Sequence, residues 1–411
     1  MKFGLLGRTL GHSFSPHIHS VLGNTNYELF EREPSQLQEF FDDPELQGIN
    51  ITFPYKVNAL EACDVIDPRA ERIGCVNTMV RKDGKWHGYN TDYDGFVFTL
   101  QHAGIDVAGK ECIILGDGAS SATVHVALED LGAKSITHLS RKTAPFYDDA
   151  PNYYETAQII INCTPIGMYP HNPANLIDIT QFSKLEGVVD LIYNPRRTIL
   201  LLQAEMMEIP HCDGLPFLVA QGVEAANHFQ GESFGTKEIE QILRDMRREK
   251  ENIILIGMPG VGKTTVGKAL GEEMGRTCVD VDQELEKEIG DISAYITEQG
   301  EPAFREKEAK MIAKLGTQTG LVISTGGGCV TVPKNYAHLR QNGRIYQLTQ
   351  PVENLSTSGR VLSGGGIERL RELEATRTPM YESFAQCIVE HNRNASETVA
   401  AILEDFEANL L

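Results

Sequence analysis

Two short runs carry residue types and spacings that could do chemistry on phosphates. GMPGVGKT (257–264) fits G-x-x-x-x-G-K-[ST] at every position, after an apolar strand and before a helical run. In such a loop the backbone N–H groups of Gly260, Val261, Gly262, Lys263, Thr264 and Thr265 cradle phosphates. Lys263 would reach the β and γ oxygens of ATP, and the Thr264 hydroxyl would ligate Mg²⁺. The second run is Gly116-Asp117-Gly118-Ala119-Ser120-Ser121. Its two glycines permit a tight turn and let backbone N–H groups approach a pyrophosphate at the start of the following helix. Ser121 stands where the usual fingerprint has a third glycine, and a plain glycine turn is the competing reading. At the end of the next strand an NAD site would present a carboxylate, but this chain has Leu139-Ser140-Arg141-Lys142. Two cations suit a 2′-phosphate, which favours NADP over NAD, with a solvated basic turn as the alternative.

Other polar residues stay ambiguous by type and spacing alone. Lys56 follows a strand end and Asp92 lies in GYNTDYDGF, and either could be a surface charge. Ser15-Pro16 has the form of a helix cap followed by proline at the first helical position. His12, His17 and His19 lack the carboxylate–histidine grammar of a metal site and are expected on the surface. Asp280 and Asp282 form an acidic pair in VDVD, and no aspartate ends the LVIST strand. Arg305 and Glu308, at i and i+3, fit a helix salt bridge. Gly326-Gly327-Gly328 alone would be a flexible turn.

These groups need a scaffold, and 411 residues are too many for one ordinary core. GINITF (48–53), ECIILG (111–116), SITHLS (135–140), QIIINC (158–163) and GVVDLI (187–192) are short apolar runs, as expected of buried parallel strands. Helical patterns at 93–103, 120–132 and 195–207 alternate with them, which predicts a doubly wound α/β fold. KEIEQILRDMRREKEN (237–252) is an amphipathic helix ending in a charge run, expected to be solvated. A fresh strand at 253–257 then opens a second α/β unit, with further strands at 320–324 and 344–348.

The formal charge is −20, with 20 basic against 33 acidic residues up to Arg248 and 17 against 24 after it. Neither part is basic, which argues against duplex nucleic acid as a partner. The eight cysteines are scattered without C-x-x-C grammar, against a zinc site or disulfide framework. No apolar run approaches the roughly 18 residues of a membrane helix. Arg8 and His12 interrupt the start where a signal peptide needs its apolar stretch. A soluble cytoplasmic protein with free thiols is expected.

Taken together and in order, GHSFSPHIHS, GINITFPYK, ERIGCVNT, GYNTDYDGF, INCTPIGM, DLIYNP and GLPFLVAQG resemble shikimate dehydrogenase across nearly all of residues 1–235. The resemblance implies Lys56 as catalytic acid/base with Asp92 as its partner. It implies that Ser13, Ser15, Thr52, Asn77, Tyr193 and Gln221, with Lys56 and Asp92, hold the substrate's carboxylate and hydroxyls. It places Gly116 to Ser120, Ser140 and Arg141 on NADP(H), and Gly214 near the nicotinamide. Residues 251–392 resemble shikimate kinase. There the resemblance implies that Asp280 helps hold Mg²⁺ through water, and that Asp282, Arg305 and Arg377 bind shikimate. Gly326–Gly328 would line that pocket, and Arg360 would be a catalytic lid arginine on the ATP phosphates. The lid sequence SGRVLSGGG lacks the proline expected after its arginine.

The expectation is a bifunctional enzyme that reduces 3-dehydroshikimate with NADPH and phosphorylates shikimate with MgATP. The first reaction makes the hydroxyl that the second phosphorylates. Three domains are expected: substrate-binding (1–95, with a return helix near 214–235), a Rossmann-type NADP domain (96–248) and a P-loop kinase (251–411). The partners are small molecules, with no nucleic acid and no membrane. A second unit that binds without turnover, or a first unit that oxidises quinate with NAD, would be the alternatives.

Overall fold

The apolar runs become strands, and glycine turns or helices follow at their C-terminal ends. The computed structural model describes residues 1–11, 13–170, 172, 174–355, 366–392 and 394–411. The chain divides into two compact units, Met1–Leu243 and Arg244–Leu411. The division falls inside the helix Thr236–Lys250. Its charged end is not simply solvated. Arg247 is buried and donates to the Leu410 carbonyl at 3.0 Å, and Arg244 donates to that of Glu407.

Unit 1 holds two sheets. The first contains β1 (Lys2–Gly7), β2 (Tyr27–Glu31), β3 (Leu46–Ile51), β4 (Val65–Ile66), β5 (Thr78–Lys82) and β6 (Lys85–Tyr89), in the order β2-β1-β3-β5-β6-β4. It is mixed, not doubly wound throughout, because β5 runs antiparallel to both β3 and β6. The turn between β5 and β6 is Asp83-Gly84, both at positive φ, the geometry that suits a two-residue hairpin. The second sheet contains β7 (Glu111–Leu115), β8 (Ser135–Leu139), β9 (Ile159–Asn162), β10 (Gly187–Asp190) and β11 (His211–Cys212). It is parallel, in the order β11-β10-β9-β7-β8. The helix Leu215–Gln230 packs against Asp92–Ala103 and also returns to Ser15–Val21, β3 and β5.

Unit 2 is built on one parallel sheet of β12 (Asn252–Gly257), β13 (Cys278–Asp280), β14 (Val322–Ser324), β15 (Gly343–Thr349) and β16 (Cys387–Glu390), in the order β13-β14-β12-β15-β16. Ile253, Ile254, Leu255 and Ile256 of the central β12 are buried, so both faces are covered, as a parallel sheet requires. No disulfide joins any of the eight cysteines. Among the described residues no helix is long and apolar enough to cross a membrane.

Candidate active sites

In unit 1, Lys56 begins the helix Lys56–Ala62 just beyond β3, and Asp92 begins Asp92–Ala103 just beyond β6. Separated by 36 positions, they meet with Nζ 2.5 Å from Oδ2, and their side chains are only 14% and 5% exposed. They are not surface charges. Burial works to lower the Lys56 pKa, but the adjacent Asp92 carboxylate outweighs it and holds the ammonium above the ordinary lysine value. The other Asp92 oxygen accepts from Asn77 Nδ2 at 2.9 Å, and Asn77 Oδ1 accepts the Thr91 N–H at 2.7 Å. A buried polar chain continues through Thr78 to Asn50, which accepts from the Tyr27 hydroxyl and meets His19 Nε2 at 3.1 Å. His19 is thus buried, stacked on Tyr27, and lowered by burial to a pKa of about 4, contrary to a surface position.

Phe14, not Ser15, occupies the cap position of Ser15–Val21. Ser15 is buried as the first helical residue, and its hydroxyl and N–H both lie 3.2 Å from the Ser13 hydroxyl oxygen. The Tyr193 ring packs 5.5 Å from Phe14, so the segment after β10 reaches the Ser13–Ser15 turn. Gln221 lies on the helix that packs along Asp92–Ala103, with its Nε2 donating to Leu218 O at 2.8 Å. Thr52 is half-buried between β3 and Lys56. The structure therefore joins Lys56, Asp92 and Asn77 in one hydrogen-bonded group and Ser13 with Ser15 in another.

At the glycine turn, Gly118 caps the helix Ala119–Asp130 and donates its N–H to the Ser121 hydroxyl at 3.2 Å. The residue in place of a third glycine thus shapes the turn. Asp117 and Gly118 are exposed, and Ala119 and Ser120 half-buried. Ser140 is buried and accepts the N–H groups of Lys142 and Thr143 at 3.1 and 3.0 Å. It builds the turn that carries Arg141 and Lys142 outward, both exposed. Gly214 caps Leu215–Gln230 and donates to Ile192 O at 2.9 Å.

In unit 2, the loop after β12 leads straight into the helix Lys263–Met274. Gly262 has φ +97° and lies against His391, so a side chain there would be both strained and crowded. Lys263 is buried, its Nζ donating to the Gly257 and Met258 carbonyls at 2.8 and 3.1 Å. The Thr264 hydroxyl donates to Asp280 Oδ2 at 2.7 Å, while Asp280 Oδ1 accepts the N–H groups of Asp282 and Gln283. Hard oxygens converging beside a phosphate loop fit Mg²⁺.

The remaining candidate residues of unit 2 converge as well. Arg305 bonds Glu308 at 2.7 Å, and Glu308 is 0% exposed, so this is no ordinary surface pair on a helix. Burial raises the Glu308 pKa against the opposing pull of Arg305. Its Oε1 is buried without a hydrogen-bond partner among the described residues, and it faces Gly326 together with Asp282 Oδ1. Arg377 donates to the Gly327 carbonyl at 3.1 Å, and so does the Tyr381 hydroxyl. A Cβ on Gly328 would collide with the Arg305 guanidinium. The three glycines form a clamped turn, not a flexible one. Spacing did not give Glu308 a role in the site; its burial and its orphaned oxygen do. Arg360 lies outside the described residues.

Comparison with known proteins gives the geometry a family. A shikimate dehydrogenase (NADP(+)) of Clostridium perfringens strain SM101 is 34% identical over 265 residues, spanning 60% of this chain and 98% of that protein. The chain belongs to the shikimate dehydrogenase family. The family model of the shikimate dehydrogenase substrate binding domain matches residues 5–79, and that of shikimate kinase matches residues 259–407. Shikimate dehydrogenase 1 of Peptoclostridium difficile superposes with a TM-score of 0.55 at 32% identity, covering 60% of this chain and 98% of that one. The Thermus thermophilus shikimate 5-dehydrogenase, solved with NADP(H) and shikimate, gives a TM-score of 0.52 at 28% identity, covering 59% and 97%. The shikimate dehydrogenase part accounts for the mixed sheet and the parallel sheet of unit 1, and the kinase part for the P-loop sheet of unit 2.

Proposed function

We propose that the chain catalyses two successive steps: NADPH-dependent reduction of 3-dehydroshikimate to shikimate, and MgATP-dependent phosphorylation of shikimate to shikimate 3-phosphate. The observation that carries the reading is the buried Lys56–Asp92 pair, fixed by Asn77 at the ends of the interior strands β3, β5 and β6. NADPH, when bound, supplies the hydride. Lys56 donates a proton to the alkoxide oxygen that develops on the substrate, and its charge stabilises that oxygen. Asp92 keeps the ammonium charged and oriented, and Asn77 holds Asp92. Ser13, Ser15, Thr52, Tyr193 and Gln221 supply hydroxyl and amide partners for the substrate's carboxylate and hydroxyls. The turn from Gly116 to Ser120, with Ser140 and Arg141, receives the dinucleotide, and Gly214 lies near its nicotinamide.

In unit 2, the 260–265 loop backbone and Lys263 hold the ATP phosphates, and Thr264 with Asp280 would hold Mg²⁺, which neutralises phosphate charge. Arg305 and Arg377 suit the carboxylate of shikimate. Asp282 accepts from a substrate hydroxyl, and the Gly326–Gly328 backbone lines the pocket. Arg360 is assigned as the lid arginine. The corresponding domains are 1–95 with a return helix near 214–235, 96–248 and 251–411, except that the helix end 244–248 groups with unit 2.

A coupled assay tests the reading: purified chain with 3-dehydroshikimate and NADPH, followed by ATP and Mg²⁺. Shikimate and then shikimate 3-phosphate are the expected products, and absence of either removes that half of the proposal. Cofactor choice is tested at Arg141. A charge-assisted bond to a 2′-phosphate contributes about 1.5–3 kcal/mol, so Arg141→Ala should weaken NADPH binding by about one to two decades. NADH binding should barely change. Equal losses for both cofactors would point to a damaged fold.

A further inference from the structure

Two recognisable segments of unit 1, INCTPIGM and DLIYNP, have no role in the proposed chemistry beyond Tyr193. They meet at one side chain. Asp190, the last residue of β10, is 0% exposed. Its Oδ1 accepts from Asn162 Nδ2 and from the Ile192 N–H, both at 3.0 Å, and its Oδ2 accepts from the Thr198 hydroxyl at 2.7 Å. An ionised carboxylate can only accept, so it dictates the direction of all three bonds.

Each donor governs a different strand-end segment. Asn162 Oδ1 accepts the N–H and hydroxyl of Thr164 at 3.0 and 2.7 Å, and Thr164 packs beside Gly116. Ile192 immediately precedes Tyr193, and its carbonyl accepts the Gly214 N–H at 2.9 Å. Thr198 caps the helix Ile199–Met206 by accepting the Leu201 N–H. Burying a charge without such partners is costly, so the three donors are what make the site tolerable.

We propose that Asp190 is the positioning residue of the reduction site, a single carboxylate that fixes together the segments carrying Tyr193, Gly214 and the support of the Gly116 turn. This rests on the dehydrogenase reading of unit 1. Burial pushes the Asp190 pKa up to about 7, opposed by its three donors and aided by Asp213. The titratable groups facing it are Asp213, which pairs with Arg196 at 3.6 Å, and the Cys163 thiol, itself pushed up by burial and then by the Asp190 charge. As pH falls below about 7 the carboxylate gains a proton, and one of its oxygens changes from acceptor to donor. The grip on the loops then weakens, and reduction should slow along an acid limb near that pH.

The test uses the full chain. Asp190→Asn should lower kcat for 3-dehydroshikimate reduction about tenfold to a hundredfold, as small misplacements of reacting groups do. It should also abolish the acid limb and weaken NADPH binding, because the Gly116 turn and Gly214 lose their common support, while leaving the kinase rate unchanged. Thr198→Val removes one donor to the ionised form and should move the limb up by about one pH unit. Hydrogen exchange should quicken in Asp190→Asn at residues 191–198 and at Gly214, a readout independent of turnover. Wild-type kcat with the limb intact, or unchanged exchange, overturns the proposal. If the wild-type chain reduces no 3-dehydroshikimate, the dehydrogenase reading fails. The exchange measurement then still decides whether Asp190 holds these loops.

Discussion

Replacing Lys263 by alanine should cut ATP-dependent phosphorylation of shikimate about 10²–10³-fold, the usual cost of removing a preorganised group that stabilises transition-state charge. NADPH-dependent reduction should be untouched. Lys263 is buried and its ammonium sits on two carbonyls at the mouth of its own loop. Phosphate oxygens would replace those carbonyls, and the ammonium would then meet charge that grows as the phosphoryl group transfers. The loss should therefore fall mainly on kcat. Shikimate affinity should survive, because Asp282, Arg305 and Arg377 gather around Gly326–Gly328 instead. Lys263→Met keeps most of the packed stem without the charge and should lose the same activity, separating electrostatics from folding. If the wild-type chain binds ATP and shikimate by calorimetry yet forms no shikimate 3-phosphate, unit 2 is a binding module and the two-enzyme reading ends.

The phosphate loop was legible in the sequence because its chemistry is local: a strand, eight consecutive residues and a helix start. The buried parallel strands β7, β9, β10 and β12 were legible from Ile- and Val-rich runs covered on both faces, whereas SITHL of β8 forms the sheet edge and is only half-buried. β5 and β6 were not, because TMVRK and KWHGY mix lysine and arginine with apolar residues, so neither reads as an apolar run. The signal that could have found them is Asp83-Gly84, a preferred pair for a tight hairpin. His19 defeated a surface expectation because its partners, Tyr27 and Asn50, come from other elements.

Long-range pairing also explains what was missed at the sites. Residue type could not distinguish Lys56 and Asp92 from two solvated charges 36 positions apart; only the strand order β3-β5-β6 brings their helix starts together. Glu308 has the spacing of an ordinary helix pair, and its place in a closed charge cluster follows from the burial of one face of the helix Glu301–Gly316. Asp190 carries no spacing signal, since its donors lie 28 positions before it and 2 and 8 positions after it.

Lys56→Ala should lower reduction of 3-dehydroshikimate about 10²–10⁴-fold, the range for a positioned general acid, and spare the kinase. The variant also leaves Asp92 buried beside Asn77 without its cation. Removing one partner of a buried pair costs about 3–5 kcal/mol, so a lost fold has to be separated from lost chemistry. Lys56→Arg provides that separation: it keeps a positive charge against Asp92 but holds its proton too tightly to transfer it near neutral pH. It should fold and still lose most of the reduction rate. The pH dependence follows from the pair. Because Asp92 holds the ammonium above the ordinary lysine value, its stabilising contribution is fully present below the unfolded lysine pKa. It disappears only as pH rises through the higher folded value. Reduction, which needs the protonated lysine, should therefore show no alkaline limb from Lys56 up to that range. The reverse oxidation needs a lysine ready to accept a proton and should quicken as pH rises. Near wild-type reduction by Lys56→Arg, or an oxidation rate that falls with alkalinity while the protein remains folded, would remove Lys56 from the proton transfer and leave it as an orienting charge.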